Sequence, residues 1–480
     1  MKYLKFLALL IFSFAWRQNV SAQAPAYQIS ATIGGWEGES VYLGYRRGDK
    51  VFSRDTAELK DGRFTFEGSE PLPSGIYLVL MPPENKFFEF VVMPGEQHFS
   101  MAVQAPDFSS SLTFNGSPEN RLLLEYQSYM SEQVAASKQL QEELTNAAGK
   151  EEKTALEKKL EEISQAVRSH QNELAAQHPG SYAALLIKAF QEPVIPDPPA
   201  GDDGTFRWQF FKNHYFDGFD FSQEVFVNSP YLKQKIDYYI SDKLTAQLPD
   251  SVIVAVDYIL EKAQANEEVF RWTLPYLLNK YFVPEVMGLD AVFVHISDKY
   301  YATGRADWVS EESRKKITDD AYMIRGVLLG KKAADVLVQP YDRKSYSFSD
   351  SLISLYDVKA DYTVVFLWKP GCPHCKKTTG ELIPFYNEWK DKGVEIFSIT
   401  SANQSELDKA ISDINYEKMP WIVTADPYMR ARALQKFYGV SLPKIYLLDK
   451  DKKIIASRIG PEQLPKIIGE HKRRLAEENR

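Results

Sequence analysis

Only two cysteines occur in the 480 residues, and they stand three apart in Cys372-Pro373-His374-Cys375. A disulfide-stapled scaffold is thereby excluded, and any thiol chemistry is confined to one point of the fold. Two cysteines scattered at random would take this spacing well under about 1% of the time. The pair follows a continuous apolar run at 363–367 that reads as a buried strand, and it opens a segment at 373–390 that reads as a helix. A helix start sets the first sulfur beside unpaired backbone N–H groups and the positive end of the helix dipole, which favours thiolate over thiol. A spacing of three turns the second sulfur to the same face, within disulfide reach. Cys372 is the expected nucleophile and Cys375 the more buried resolving thiol, with Pro373 and His374 as parts of the same centre.

Two other uses of the pair fit less well. A structural disulfide closing so short a loop removes little chain entropy and is a poor staple for a chain of this size. A structural zinc site needs four ligands, and the remaining histidines are scattered at His98, His170, His178, His214, His295 and His471. No cofactor or metal is expected.

The first residues bear on compartment. Lys2 and Lys5 precede an apolar run at 6–16, then a polar stretch ending in small residues around Ala22 and Ala24, the layout of a secretory signal peptide. The run has about 11 residues where a membrane-crossing helix needs roughly 20, so residues 1–22 read as a cleaved leader rather than an anchor. The periplasm or cell envelope is the expected location, where stray thiols are oxidised and a single retained pair suits a dedicated redox centre. With 57 Lys and Arg against 65 Asp and Glu, the formal charge is −8, so no global positive field gathers phosphate, and nucleic acid is not expected as a partner.

Between leader and motif the patterning changes three times. Residues 25–116 alternate short β-type runs with turn residues, and in Phe64, Thr65, Phe66 the aromatics recur with period two, which predicts a β-sandwich. Residues 117–190 are rich in Leu, Glu, Lys, Gln and Ala. Leu156, Leu160, Ile163, Val167 and Leu174 form a heptad-like stripe, broken from the preceding helix near 146–149, which predicts a long helical hairpin. That stripe packs on its own partner helix or serves a homodimer; both remain open at this point. A proline- and glycine-rich linker at 191–205 leads to a helical domain at 206–325, whose opening aromatics, Trp208 to Phe221, are read chiefly as core. Residues 326–480 alternate strands and helices around a central sheet. Helices are expected near 406–414, 428–438 and 461–477, with a hairpin across 449–452.

The C-terminal domain resembles a thioredoxin fold of the secreted type, similar to the TlpA and ResA thiol-disulfide oxidoreductases. The resemblance rests on Val364 to Trp368 before the motif, Lys376 after it, and Gly439, Val440, Ser441, Leu442, Pro443 before the strand at 445–449. It implies that Pro443 is a cis-proline facing the redox pair, and that Pro443, Leu442 and Trp368 serve substrate binding. Residues 330–350 resemble the β-hairpin that precedes the core in this type. Where the family often carries a buried acid assisting the second cysteine, this chain has Phe366 and Thr378. The layout of leader, β domain, helical region and thioredoxin domain resembles secreted multidomain proteins of Gram-negative bacteria. What it implies is exchange with protein thiols and disulfides, recharged by a membrane or periplasmic electron donor. That layout favours a disulfide reductase. The Cys-Pro-His-Cys centre itself resembles oxidases of the DsbA type, and a binding protein whose thioredoxin domain serves one partner complex is the third reading.

Overall fold

The computed structural model describes residues 24–478; the expected leader at 1–22 lies outside them. The chain divides into two compact units, residues 1–196 with 213–233, and residues 197–212 with 234–480. Among the described residues no helix is long and apolar enough to cross a membrane.

The first unit begins with eight strands: β1 (Tyr27–Gly34), β2 (Ser40–Arg47), β3 (Lys50–Glu58), β4 (Phe64–Gly68), β5 (Gly75–Met81), β6 (Lys86–Val92), β7 (His98–Gln104) and β8 (Thr113–Asn115). They form two four-stranded sheets, ordered β4-β1-β7-β8 and β3-β2-β5-β6. The inward residues alternate as a half-buried strand requires: Ile29, Ala31, Phe64 and Phe66 on one sheet meet Val41, Leu43, Val79, Phe88 and Phe90 on the other in a single apolar core. This is a β-sandwich. Two long helices follow, α1 (Pro118–Asn146) and α2 (Lys150–Gln177), then the short α3 (Tyr182–Phe190). Ser117 caps α1 by accepting the N–H of Asn120, with Pro118 in the first turn. The three-residue break turns α2 back along α1, where Gln171 donates to the Tyr126 hydroxyl at 2.9 Å. Leu174, on the α2 stripe, packs with Ala183 and Ile187 of α3.

The segment 213–233 belongs to this first unit rather than to a helical domain spanning 206–325. Its backbone is tied to the sandwich: the N–H of Gly48 donates to Val227 O, that of Ile76 to Asn228 O, and the Asn228 side chain to Ser74 O. Phe216, Phe219, Phe221 and Phe226 are buried there, whereas Trp208 is 45% exposed, so the aromatic run is only partly core.

Helices α4 (Phe206–His214) and α5 (Tyr231–Ile240) straddle the division between the units, and α6 (Pro249–Ala263), α7 (Glu267–Phe282), α8 (Asp290–Ile296) and α9 (Glu311–Arg325) lie in the second. The chain leaving α9 is stitched to the C-terminal hairpin by Gly330 N–H to Ile454 O and Ile454 N–H to Lys331 O, both at 2.8 Å. The remaining strands are β9 (Leu337–Asp342), β10 (Ser347–Phe348), β11 (Ile353–Ser354), β12 (Tyr362–Trp368), β13 (Val394–Thr400), β14 (Ile422–Ala425), β15 (Lys444–Leu448) and β16 (Ile454–Ser457). Their order is β10-β9-β14-β13-β12-β15-β16, with β11 also on β9. β12 runs parallel to β13 and antiparallel to β15, so it is central, and all seven of its residues are buried. Around this sheet lie α10 (Pro373–Trp389), α11 (Leu407–Glu417), α12 (Ala433–Lys436) and α13 (Leu464–Glu478). This is a thioredoxin-like α/β domain. The helix expected over 428–438 shrinks to the single turn of α12, because Met429 and Arg432 adopt left-handed backbone angles (φ 53° and 50°) and Asp426 accepts the N–H groups of Ala431 and Ala433.

Candidate active site

β12 ends at Trp368 in the middle of the sheet, and the chain must cross only four residues before α10 begins. Gly371 makes that crossing with φ +69°, an angle an L side chain adopts only with strain, and its N–H points to Asp413 Oδ2 at 2.7 Å. Cys372 is the N-cap of α10, with φ −86° and ψ 118°, and Pro373 supplies the first helical residue, where no N–H is needed.

The two thiols sit in opposite environments. Cys372 is half-buried, and the backbone N–H of Cys375 donates to its sulfur at 3.4 Å. That bond is the main reason its thiol lies below the ordinary range; partial burial opposes it, while the Cys375 thiol, the His374 backbone N–H and the Lys369 charge act in the same direction as the bond. Cys375 is 2% exposed, and burial pushes its thiol up to about 12, against a backbone bond from Lys369 N–H to its sulfur at 3.4 Å. The outer sulfur is thus the easier to ionise, and the inner one holds its proton more tightly.

The other expected residues fall into place unevenly. Pro373 and His374 are exposed, and what His374 gives Cys372 is its backbone N–H rather than its imidazole. The Leu442–Pro443 peptide is cis, and Leu442 packs on the same core cluster as Cys372 and Cys375. Trp368 does not stand at the surface. It is 2% exposed, which takes it out of reach of a docking polypeptide, and with the pair it lines a cavity of about 300 Å³.

Three residues beside the motif escaped the sequence reading. Lys369 carries a cation that favours the Cys372 thiolate, and its position three residues before the cysteine was the available signal. Asp413 and Glu417, one turn apart on α11, bracket the motif. Asp413 holds the residue before Cys372, and Glu417 meets Lys376, the residue after Cys375, at 3.3 Å. Lys376 also lies 4.1 Å from the centre of the Tyr416 ring. Nothing local in the sequence couples α11 to the motif. Among the described residues no cluster of His, Cys, Asp or Glu could hold a metal ion.

Three families match successive parts of the chain: residues 27–123 and 139–325 match two domains of unknown function, DUF4369 and DUF5106, and residues 329–457 match the AhpC/TSA family. The thiol-disulfide oxidoreductase ResA of Bacillus thuringiensis (strain Al Hakam) is 27% identical over 143 residues, 29% of this chain and 75% of the relative. The sporulation thiol-disulfide oxidoreductase A of Bacillus subtilis (strain 168) is 22% identical over 104 residues, 22% of this chain and 62% of that protein. A crystal structure of a thioredoxin-like protein from Bacteroides caccae ATCC 43185 is 20% identical, with a TM-score of 0.47, over 59% of this chain and 98% of that one. The C-terminal domain is a thioredoxin-like domain homologous to the ResA/TlpA-type thiol-disulfide oxidoreductases, carried behind additional N-terminal domains.

Proposed function

We propose that this chain performs thiol-disulfide exchange on exported proteins through Cys372 and Cys375, working as a disulfide reductase of the periplasm or cell envelope. The observation that carries this reading is the opposed pair: an outer thiol stabilised as thiolate at a helix start, and a buried neighbour that keeps its proton. Cys372 attacks a substrate disulfide and forms a mixed disulfide. Cys375 then attacks Cys372, releasing the reduced substrate and leaving the pair oxidised. A membrane or periplasmic donor returns the two electrons.

The way the thiolate is held supports one direction of exchange over the other. A strong oxidant needs a reduced form stabilised well beyond the ordinary, because its disulfide is then eager to accept electrons. The Cys372 thiolate draws on backbone N–H groups and the exposed Lys369, with the His374 imidazole turned to solvent and partial burial opposing. That supports the reducing side.

Replacing Cys375 by Ser in the exported protein should leave substrates covalently attached through Cys372, and Cys372→Ser should capture none. Equal capture by both variants, or by neither, would overturn the mechanism. A measured reduction potential decides direction, each 30 mV corresponding to about 1.4 kcal/mol.

A further inference from the structure

Resolution of the mixed disulfide needs Cys375 as a thiolate, and at neutral pH a buried thiol near 12 is ionised about once in 10⁵ molecules. Part of that elevation comes from Cys372 itself, through its negative charge and its hydrogen bond with the neighbouring thiol. Both contributions vanish once Cys372 is bonded to a substrate sulfur. Burial remains, and so does the need for a group that takes the proton.

The cavity that the pair lines limits the choice. Besides the two cysteines, its lining holds four ionisable side chains: Lys369, Lys376, Asp413 and Glu417. A protonated lysine cannot accept. Asp413 already accepts the N–H of Gly371, the residue before Cys372. Glu417 has its side chain only 16% exposed, with Lys376 beside one carboxylate oxygen.

The same cavity holds a second sign of polar occupancy. The Trp368 indole N–H is buried and has no hydrogen-bond partner among the described residues. An indole N–H only donates, and a buried donor requires an acceptor. A cavity of about 300 Å³ accommodates several waters, and Trp368 Nε1, Thr379 and Glu417 offer the two to four polar contacts that an ordered water needs.

We propose that Glu417 takes the proton of Cys375 and passes it on to the departing substrate thiolate, through water held in this cavity against the Trp368 indole. This rests on the reading that Cys375 resolves a mixed disulfide on Cys372. The Cys375 S–H proton passes through water to the Glu417 carboxylate as the Cys375 sulfur attacks Cys372 Sγ. The Cys372–substrate S–S bond breaks as the Cys372–Cys375 bond forms, and the departing substrate thiolate takes the proton. No external oxidant or reductant enters the step. Glu417 occupies, from a different helix, a role that neither Phe366 nor Thr378 can fill.

The test uses the reduced full chain mixed with stoichiometric Ellman's reagent. Its coloured thiol is released once when Cys372 attacks and again when Cys375 resolves. Glu417→Gln should slow the second release at pH 7 by tenfold or more and leave the first within twofold. The deficit should shrink as pH rises and hydroxide replaces the carboxylate. Lys376→Gln, which breaks the same ion pair but keeps the acid, should retain the second release, and Glu417→Asp should restore part of it. An unchanged second phase in Glu417→Gln, or an equal slowing in Lys376→Gln, would overturn the proton role. If Cys375→Ser releases the second equivalent as fast as the unmodified protein, the resolving role of Cys375 fails instead.

Discussion

The backbone N–H of Cys375 donates to Cys372 Sγ at 3.4 Å, so the turn that buries the second sulfur is also what stabilises the first as an anion. The two thiols therefore cannot be tuned independently. A change that unwinds the first turn of α10 raises the outer thiol and exposes the inner one together.

Alkylation should read out that ranking. With Cys372 below the ordinary thiol range and Cys375 near 12, iodoacetamide on the reduced protein at pH 7 should label Cys372 alone. The rate should rise with pH and level off below the midpoint of a free cysteine. Peptide mapping that finds Cys375 labelled first would reverse the assignment.

A second prediction separates backbone from side chain at the motif. His374→Ala keeps the N–H and should leave the Cys372 midpoint within a few tenths of a unit, whereas His374→Pro removes it. A hydrogen bond to a charged group contributes about 1.5–3 kcal/mol, so His374→Pro should raise the midpoint by about one to two units. Lys369→Met should also raise it, by less, since the lysine is exposed, and the effect should fade at high salt. A large shift in His374→Ala would mean that the imidazole itself acts on the Cys372 thiolate.

What the sequence disclosed follows from where the information is local. The apolar run that became β12 and the helix start at Cys372 are each specified within a few residues, whereas the cis bond before Pro443 was implied by the resemblance to the secreted thioredoxin type. β3 was not legible. It is an edge strand paired only with β2, and its residues, Val51 and Phe52 included, are largely exposed, so no burial alternation marks it. The bracket of Asp413 and Glu417 was hidden for a different reason. It depends on α11 folding back onto a loop 42 residues earlier, and a polar helix gives no sign of which neighbour its acids will meet.

Asn120 joins α1 to the sandwich and should be costly to remove. It is 2% exposed, its amide oxygen accepts Val91 N–H and its amide nitrogen donates to Val91 O, both at 2.7 Å. Val91 lies on β6, at the edge of its sheet, so these bonds stand where another strand would. Asn120→Ala leaves two buried backbone groups without partners and should destabilise the first unit by about 2–4 kcal/mol. Urea unfolding of the full chain, followed by fluorescence and circular dichroism, measures it. A loss under half a kcal/mol would mean that water replaces the amide.

The last prediction concerns Lys444, the residue after Pro443. Burial, with the Arg458 charge adding to it and Asp290 opposing, lowers its ammonium to about 8 from 10.5. Its Nζ donates to Tyr438 O, so the side chain is held inside the domain. Below pH 8 the folded protein must carry this charge in a place that disfavours it, while the unfolded chain carries it in water. Between about 8 and 10.5 the unfolded state binds more protons than the folded one, so this group makes stability rise with pH across that window. Partial solvent access reduces the full effect to about 2 kcal/mol. Other groups titrate in the same range, so the comparison is with Lys444→Met. The stability of the unmodified protein minus that of the variant should increase between pH 7 and 9.5, and urea melts at the two values give that difference directly. A difference that stays constant would mean that Lys444 keeps its charge on folding at both pH values.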